Sequence, residues 1–485
     1  MTPKELYLSS VAAPRRPAPQ VVSTSSRVSR TRPAWADGVL LAALFGGLYA
    51  VLAVSRWVRY GTISWDLGIF VQVVDSYSHL RWPVADLKGS GFAILGDHFS
   101  PVLVLLAPFY RLCPTPLTLL VAQSILLGAS VWPVTHAAAQ LLGRRTGVLI
   151  GAGYGMSWGL QRAADFDFHE IAFAVPLIAA SLAAALLRRW RSALLWAAPL
   201  LLVKEDLGLT CAAIALVVAW RCRERDPGYL LPALATAAVA TVCCLLTVTV
   251  LIPVFSEGGY DYWAKIGDDS GFMATLTEGG GEKLQTLMWI FLPTSGLLAL
   301  RSPLLIAALP TLAWRMLSND EHYWSVDWHY SAVLMPVTAL AMTDALTRMR
   351  VAHRPLVRAY AHHLPAVVLA VALTLSMHLP FASLADGATY STDRHAEAGA
   401  STLARIPDGA SVEVNVIPSA HLTNRCRVYW VGNAHGVIAD YIAYYDPKWS
   451  GEDMLAYARK LHPDAAYNLV AAKAGFWVVK REPAR

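Results

Sequence analysis

The sequence predicts a polytopic α-helical membrane protein with about eleven transmembrane helices and a small α/β domain after them. Three observations carry that prediction. Of 485 residues, 55% are hydrophobic and 15% charged, with a mean hydropathy of +0.43, where soluble domains carry about 25% charged residues. Long apolar runs recur along the chain between short polar loops. The dominant charge of those loops alternates from one to the next. The 17 Trp and 19 Tyr suit interfacial belts, where an amphipathic ring sits at headgroup depth.

Residues 1–35 are rich in Pro, Ser, Arg and Val and read as a disordered, basic, cytoplasmic tail. The apolar run that follows has no clear small-residue cleavage site, so it reads as a retained span rather than a signal peptide. A helix needs about 20 apolar residues to cross a bilayer. Within a transmembrane domain at 36–382, spans are expected at 36–56, 115–139, 146–161, 171–187, 192–204, 206–220, 229–253, 285–300, 302–317, 331–347 and 364–382. The two within 192–220 are short. The segment 99–112, "FSPVLVLLAPFYRL", is too short and proline-rich to span, and reads as an interfacial or re-entrant piece.

Loop charge then sets the orientation, because cytoplasmic loops collect Lys and Arg. With the tail inside, the inner loops are "GRRTG" (143–147), "RRWRS" (188–192), "RCRERDP" (221–227), Arg301 and "RMRVAHRPLVR" (348–358). The outer loops are 57–114, "QRAADFDFHE" (161–170), "VKED" (203–206), 254–284 and "SNDEHYWSVDWHY" (318–330), and all carry carboxylates. An odd number of spans leaves 383–485 outside the plasma membrane. There the pattern changes to alternating runs, "ASVEVNVI" (410–417), "RVYWVG" (427–432), "ADYIAYY" (439–445) and "GFWVVKR" (475–481), with helical patterns at 394–406 and 451–462. Strands mixed with amphipathic helices predict a small extracytoplasmic α/β domain closing on a hairpin at Gly475.

The composition also excludes. No basic run marks a nucleic-acid surface. The six cysteines form no CxxC pair, so neither a disulfide framework nor a zinc site is expected. No P-loop or dinucleotide fingerprint occurs.

The acids of the outer loops are the informative residues, since ionisable groups at a membrane are costly and default to function. In "GTISWDLGIF" (61–70), Asp66 stands alone; Ser64 or Asp66 caps the helix that follows, or Asp66 is catalytic, and the two are not exclusive. In "GDHFSP" (96–101), Asp97 and His98 anchor a loop or face a cavity; a metal there would need further ligands such as His169 or Glu170. In "DFDFHE" (165–170), an extended backbone would place Asp165, Asp167 and His169 on one face and the two Phe on the other. In "KED" (204–206), Lys204 either neutralises Glu205 or Asp206, or sits near a phosphate. His329 and Tyr330 open a span beside an aromatic belt and are placed to face the same cavity. Asp97, His98, Asp167, His169, Glu170, Lys204, Glu205, His329 and Tyr330 are thus the expected substrate-binding residues around Asp66, with no metal ligand assigned and no cofactor expected, a divalent cation being the alternative.

A carboxylate-lined outer cavity suits lipid-linked sugar transfer. A polyprenyl-phosphate sugar, delivered within the membrane lipid, already has a good leaving group. One carboxylate then suffices as general base on the acceptor hydroxyl of a cell-envelope partner. Cations hold the departing phosphate, and direct displacement inverts the anomeric centre. A transporter or lipid flippase, or a non-catalytic scaffold for envelope assembly, are the alternatives.

"WDLGIF", "GDHFSPVLVLLAPFYRL", "DFHEIAFAVPL", "KEDLGL" and "HYSAVLMPV", in this order, resemble an uncharacterised family of bacterial predicted membrane proteins, domain of unknown function 2079, over about residues 36–480. The plan also resembles the C-type (GT-C) glycosyltransferase superfamily, in which a first span leads to a long outer loop bearing the catalytic acid. That resemblance implies a GT-C-like fold and places Asp66 nearest the catalytic acid. The paired acidic motif frequent in that superfamily is absent: the next acid after Asp66 is Asp75.

Overall fold

The computed structural model describes residues 34–256 and 277–483. Residues 1–33 of the tail expected at 1–35 and the middle of the expected loop 254–284 lie outside them, and residues 34 and 35 belong to the first helix rather than to the tail. The first long helix is Ala34–Val58, with Asp37 in its first turn and Arg56 in its last, each where the helix dipole favours its sign. It packs against Pro116–Ala129. A side chain on Gly128 would come within 2.6 Å of Gly46 Cα, so glycine at this crossing lets the two backbones approach.

Four stretches are long and apolar enough to cross a membrane: Trp35–Val58, Pro116–Leu142, Pro227–Phe255 and Pro355–Ser376. Five further apolar helices have 10–17 residues; Pro101–Leu112, Trp190–Leu202 and Leu207–Cys222 are among them. Proline is one reason they are short. The 3₁₀ segments Pro101–Leu106, Ala198–Leu202 and Pro303–Ala308 each carry a proline in their first positions, where its missing N–H costs nothing and its ring blocks the chain behind it. The chain is a multi-pass helical membrane protein. Three of its helices, Ala174–Leu186, Leu207–Cys222 and Leu334–Met349, each begin beside one of the acidic loops.

The carboxy-terminal segment holds a five-stranded mixed sheet in the order β2-β1-β3-β5-β4. Its strands are β1 Ser411–Val414, β2 Arg427–Trp430, β3 Tyr441–Tyr445, β4 Tyr467–Lys473 and β5 Phe476–Arg481. β1 runs parallel to β2 and β3, and β5 antiparallel to β3 and β4. The last hairpin turns through Ala474 (φ +46°) and Gly475 (φ +85°), the double left-handed geometry whose twist matches paired strands. The first predicted strand ends early: Val416–Leu422 is helical. A helix at Gly451–Leu461 opens on a capping box between Ser450 and Asp453.

This sheet and the first polar loop share one hydrophobic core. Leu67, Phe70, Val71 and Val74 of the Asp66–Ser78 helix are buried with Val412, Val414, Val428, Leu422 and Val478. Phe168 belongs to the same cluster. Polar contacts fix the register. Gln72 Nε2 donates to the Val428 carbonyl at 2.8 Å, while its Oε1 accepts the Leu87 N–H at 3.0 Å. Trp57 Nε1 donates to the Ala420 carbonyl at 3.1 Å. His421 stacks on Tyr60 at 3.7 Å and on Trp57 at 4.7 Å, and burial pushes its imidazole down to about 3, so it docks as a neutral ring.

Candidate functional site

Asp66 is the first residue of the helix Asp66–Ser78, and no side chain caps that helix. Ser64 Oγ instead accepts the Asp66 N–H at 3.0 Å and donates to Asp66 Oδ2. The carboxylate therefore makes no cap; it points to His169, whose Nε2 lies 3.3 Å from Oδ2. Burial pushes the Asp66 carboxyl up, but hydrogen bonding and charge from His169, the Ser64 hydroxyl and the Lys88 charge outweigh it and hold it at about 2. Its side chain stays 31% accessible while that of His169 is 5% accessible. The acid is thus the open member of the pair.

The segment 165–170 orients that pair. The preceding helix ends at Asp165, and Asp167 takes φ +57°, a left-handed conformation that Asp tolerates better than most residues. That kink breaks the expected alternation of faces. Phe166 stacks on both His169 (5.0 Å) and His329 (5.3 Å), and the two imidazoles stack at 3.8 Å. Phe168 turns the other way, edge-on to Phe70 at 5.4 Å. Asp165 pairs with Arg56. Asp167 accepts the backbone N–H groups of Ile63 (3.1 Å) and Ser64 (3.2 Å), tying down the segment that delivers Asp66. Burial pushes its carboxyl up to about 6, against the pull of Arg56 and those two N–H groups.

The other expected residues gather around this centre in pairs. His98 Nδ1 lies 2.9 Å from Glu205 Oε1, and Glu205 Oε2 accepts the Phe99 N–H at 3.1 Å. Burial and Lys204 push His98 down, but Asp97 and Glu205 reverse this and raise it; burial raises Glu205, and His98 and Lys204 bring it down. The two form a charged pair. Lys204 Nζ lies 2.9 Å from Glu170 Oε1. Asp97 pairs with Lys88. Burial, then the charges of His169, Lys204, Arg315 and His98, hold His329 well below the ordinary imidazole value, so it is a neutral ring among cations. Tyr330 packs at 4.2 Å on His329.

The structure therefore joins Asp66, His169 and His329 directly, with the His98–Glu205, Asp97–Lys88 and Lys204–Glu170 pairs within electrostatic reach. Asp167 stands behind them as an anchor of the backbone. Three participants were missed in the sequence. Ser64 was read only as a helix cap, and Phe166 only as lying on the face opposite His169. Lys88 had a signal: it is the only lysine in residues 57–114. Among the described residues no three His, Cys, Asp or Glu side chains cluster as a metal site. A cavity of about 460 Å³ lies at the end of the first helix, lined by Arg56, Arg59, Gly61, Asp165 and His395; Asp66 does not line it. "GMSWG" (155–159) has the spacing of a nucleophile elbow, but Ser157 joins two helices where an elbow needs a strand-to-helix turn.

A family model described as predicted membrane protein, DUF2079, matches residues 59–475. No curated protein matches the chain. Among solved structures, ArnT from Cupriavidus metallidurans bound to undecaprenyl phosphate superposes with a TM-score of 0.57 at 14% identity, over 93% of this chain and 98% of that one. The same protein in the apo state gives 0.49 at 12% identity, over 92% and 98%. At this identity the likeness is one of fold, and its coverage takes in the helices and the sheet together.

Proposed function

The chain belongs to the DUF2079 family of predicted membrane proteins, and from that premise we propose that it is a membrane glycosyltransferase that takes a sugar from a polyprenyl phosphate on the outer face. The observation that carries this reading is Asp66: an accessible carboxylate, ionised and aimed by His169 and Ser64, at the mouth of a buried acid–imidazole cluster. It is supported by a fold shared with ArnT, whose structure holds undecaprenyl phosphate.

In this mechanism the acceptor oxygen attacks the anomeric carbon as the bond from that carbon to the phosphate oxygen breaks. The acceptor proton passes to Asp66, and the polyprenyl phosphate leaves with the electron pair. Lys88 and Lys204 receive the phosphate charge. A carboxylate near 2 is a weak base. A phosphate that draws Lys88 towards itself weakens one of the forces holding Asp66 down, so donor binding strengthens the base. His329, neutral and stacked, keeps the His169 ring in place. The reaction as written uses no metal and inverts the sugar carbon.

The same reading puts eleven spans in the membrane, with the amino terminus in the cytoplasm and residues 383–485 outside. Purified wild type and Asp66→Asn, supplied with labelled polyprenyl-phosphate sugars, test the chemistry; equal transfer by both removes Asp66 from the base role. Chelator should leave the rate unchanged. For the topology, Cys113 is exposed and outside in this arrangement, so a membrane-impermeant maleimide should label it in intact spheroplasts and not label Cys113→Ser there.

A further inference from the structure

The helices that begin at the Asp66 cluster end around a second charged cavity. Ala174–Leu186 follows Glu170, Leu207–Cys222 follows Glu205, and Leu334–Met349 follows His329 and Tyr330. The last two have 16 residues each, which at about 1.5 Å per residue carries them about 24 Å from the cluster. Their far ends enclose a cavity of about 380 Å³, a volume typical of ligand sites, which run from about 300 to 1,000 Å³. Arg188, Arg221, Arg225 and Arg348 line it, with Glu224, Asp226 and Asp344.

The acids there are already engaged. Asp344, 3% exposed, is held by Arg221, by Arg348 Nη1 at 3.0 Å and by Ser302 Oγ at 2.7 Å. Asp226 accepts the Trp190 indole N–H at 2.8 Å. Glu224 lies 3.4 Å from Arg223. Two of the four arginines are therefore spent on Asp344, while Arg188 and Arg225 make no ion pair with any described residue. Arg188 carries a second mark. It sits just past the end of Ala174–Leu186 at φ +57°, in a turn closed by the Arg189 N–H on the Ala184 carbonyl at 2.8 Å. That position usually takes glycine, and backbone strain held at an unpaired charge points to a use for the charge.

We propose that this cavity binds the phosphate of an anionic lipid head group from the leaflet at this end of the bundle. Arg188 and Arg225 donate to the phosphate oxygens, and the Arg221–Asp344–Arg348 triad forms the floor. Planar guanidinium groups match phosphate geometry, and basic pockets between helix ends are where anionic head groups dock. Leu141 and Leu186 line the same cavity and offer an apolar wall to the first acyl carbons. The site is separate from Asp66 and does not depend on the transfer reaction.

The test uses the full chain in phosphatidylcholine nanodiscs, with phosphatidylglycerol added in one arm and inorganic phosphate in another. Thermal unfolding is compared for wild type and for Arg188→Gly combined with Arg225→Gln. Glycine suits the positive φ, so this variant keeps its fold. Phosphatidylglycerol should raise the wild-type midpoint by several degrees and leave the variant's unchanged. Protection by inorganic phosphate that the variant loses would also support the site and would assign it to a soluble phosphate. Equal protection of wild type and variant, or none of either, would overturn it.

Discussion

The two ends of the helical bundle handle charge in opposite ways. At the Asp66 end, carboxylates meet imidazoles and lysines in pairs that leave one acid accessible. At the other end a single buried acid, Asp344, is clamped between arginines. Imidazole stacks, tautomers and shared protons make the first end adjustable. Guanidinium groups do not titrate in the working range, so the second end is fixed. One set of helices carries both, which separates the two clusters by the length of the bundle.

That division can be broken by substitutions at each end. Asp66→Asn should cost about 10²-fold to 10⁴-fold in transfer rate, the usual worth of a general base, with a smaller fall in the unfolding midpoint than Asp344→Ala gives. Asp344→Ala should do the reverse. It leaves the Arg221 side chain, 19% exposed, without its carboxylate, at a cost of about 3 kcal/mol in stability, while KM for donor stays as it was. A swap of these outcomes, read by the same assay and the same melt, would end the comparison.

Acid and base sharpen it further. Asp66 sits near 2, below its unfolded value of about 3.9, so its stabilisation is present above about pH 4 and is lost as pH falls towards 2. Asp167 runs the other way. With a folded value of about 6, its contribution is complete below about pH 4 and is lost as pH rises through 6. Asp167→Asn should remove that second slope, about 2–3 kcal/mol at about 1.4 kcal/mol per unit, seen as a flatter midpoint-against-pH curve between pH 4 and 7. The smallest effect is expected at Gly68, where an added Cβ would meet Leu87 Cδ1 at 2.6 Å and Thr423 Cγ2 at 3.3 Å. Gly68→Ala should cost about 1 kcal/mol by overpacking and lower transfer modestly, because it pushes the sheet off the loop that holds Asp66.

Much of the helical part was legible because apolar length is a strong signal; helices such as Trp35–Val58 and Pro116–Leu142 fall where hydropathy puts them. Start points were less legible. Pro355–Ser376 begins nine residues before its apolar stretch, since a helix can open on "PLVRAYAHH" outside the lipid. Candidate residues could be chosen by type and side of the membrane, but their pairings could not. Lys204 beside Glu170 and His98 beside Glu205 join segments far apart in sequence. The alternation argument failed at 165–170 because one left-handed residue, Asp167, reverses the chain direction. Of the two capping residues the sequence offered, Ser64 took the first helical N–H and left the Asp66 carboxylate free for His169.

The core shared between the first loop and the last sheet has a consequence for timing. The Trp57 bond to Ala420 closes a separation of 363 residues, which a ribosome working at about 5–20 residues per second covers in about 20–70 s. Through that interval the helix bearing Asp66 lacks the surface that buries Leu67, Phe70 and Val74. A chain cut short by premature termination therefore presents an apolar, incompletely folded loop to proteases at the membrane surface. The core around the Asp66 helix is therefore completed only when the strands of the last sheet have been made and have docked.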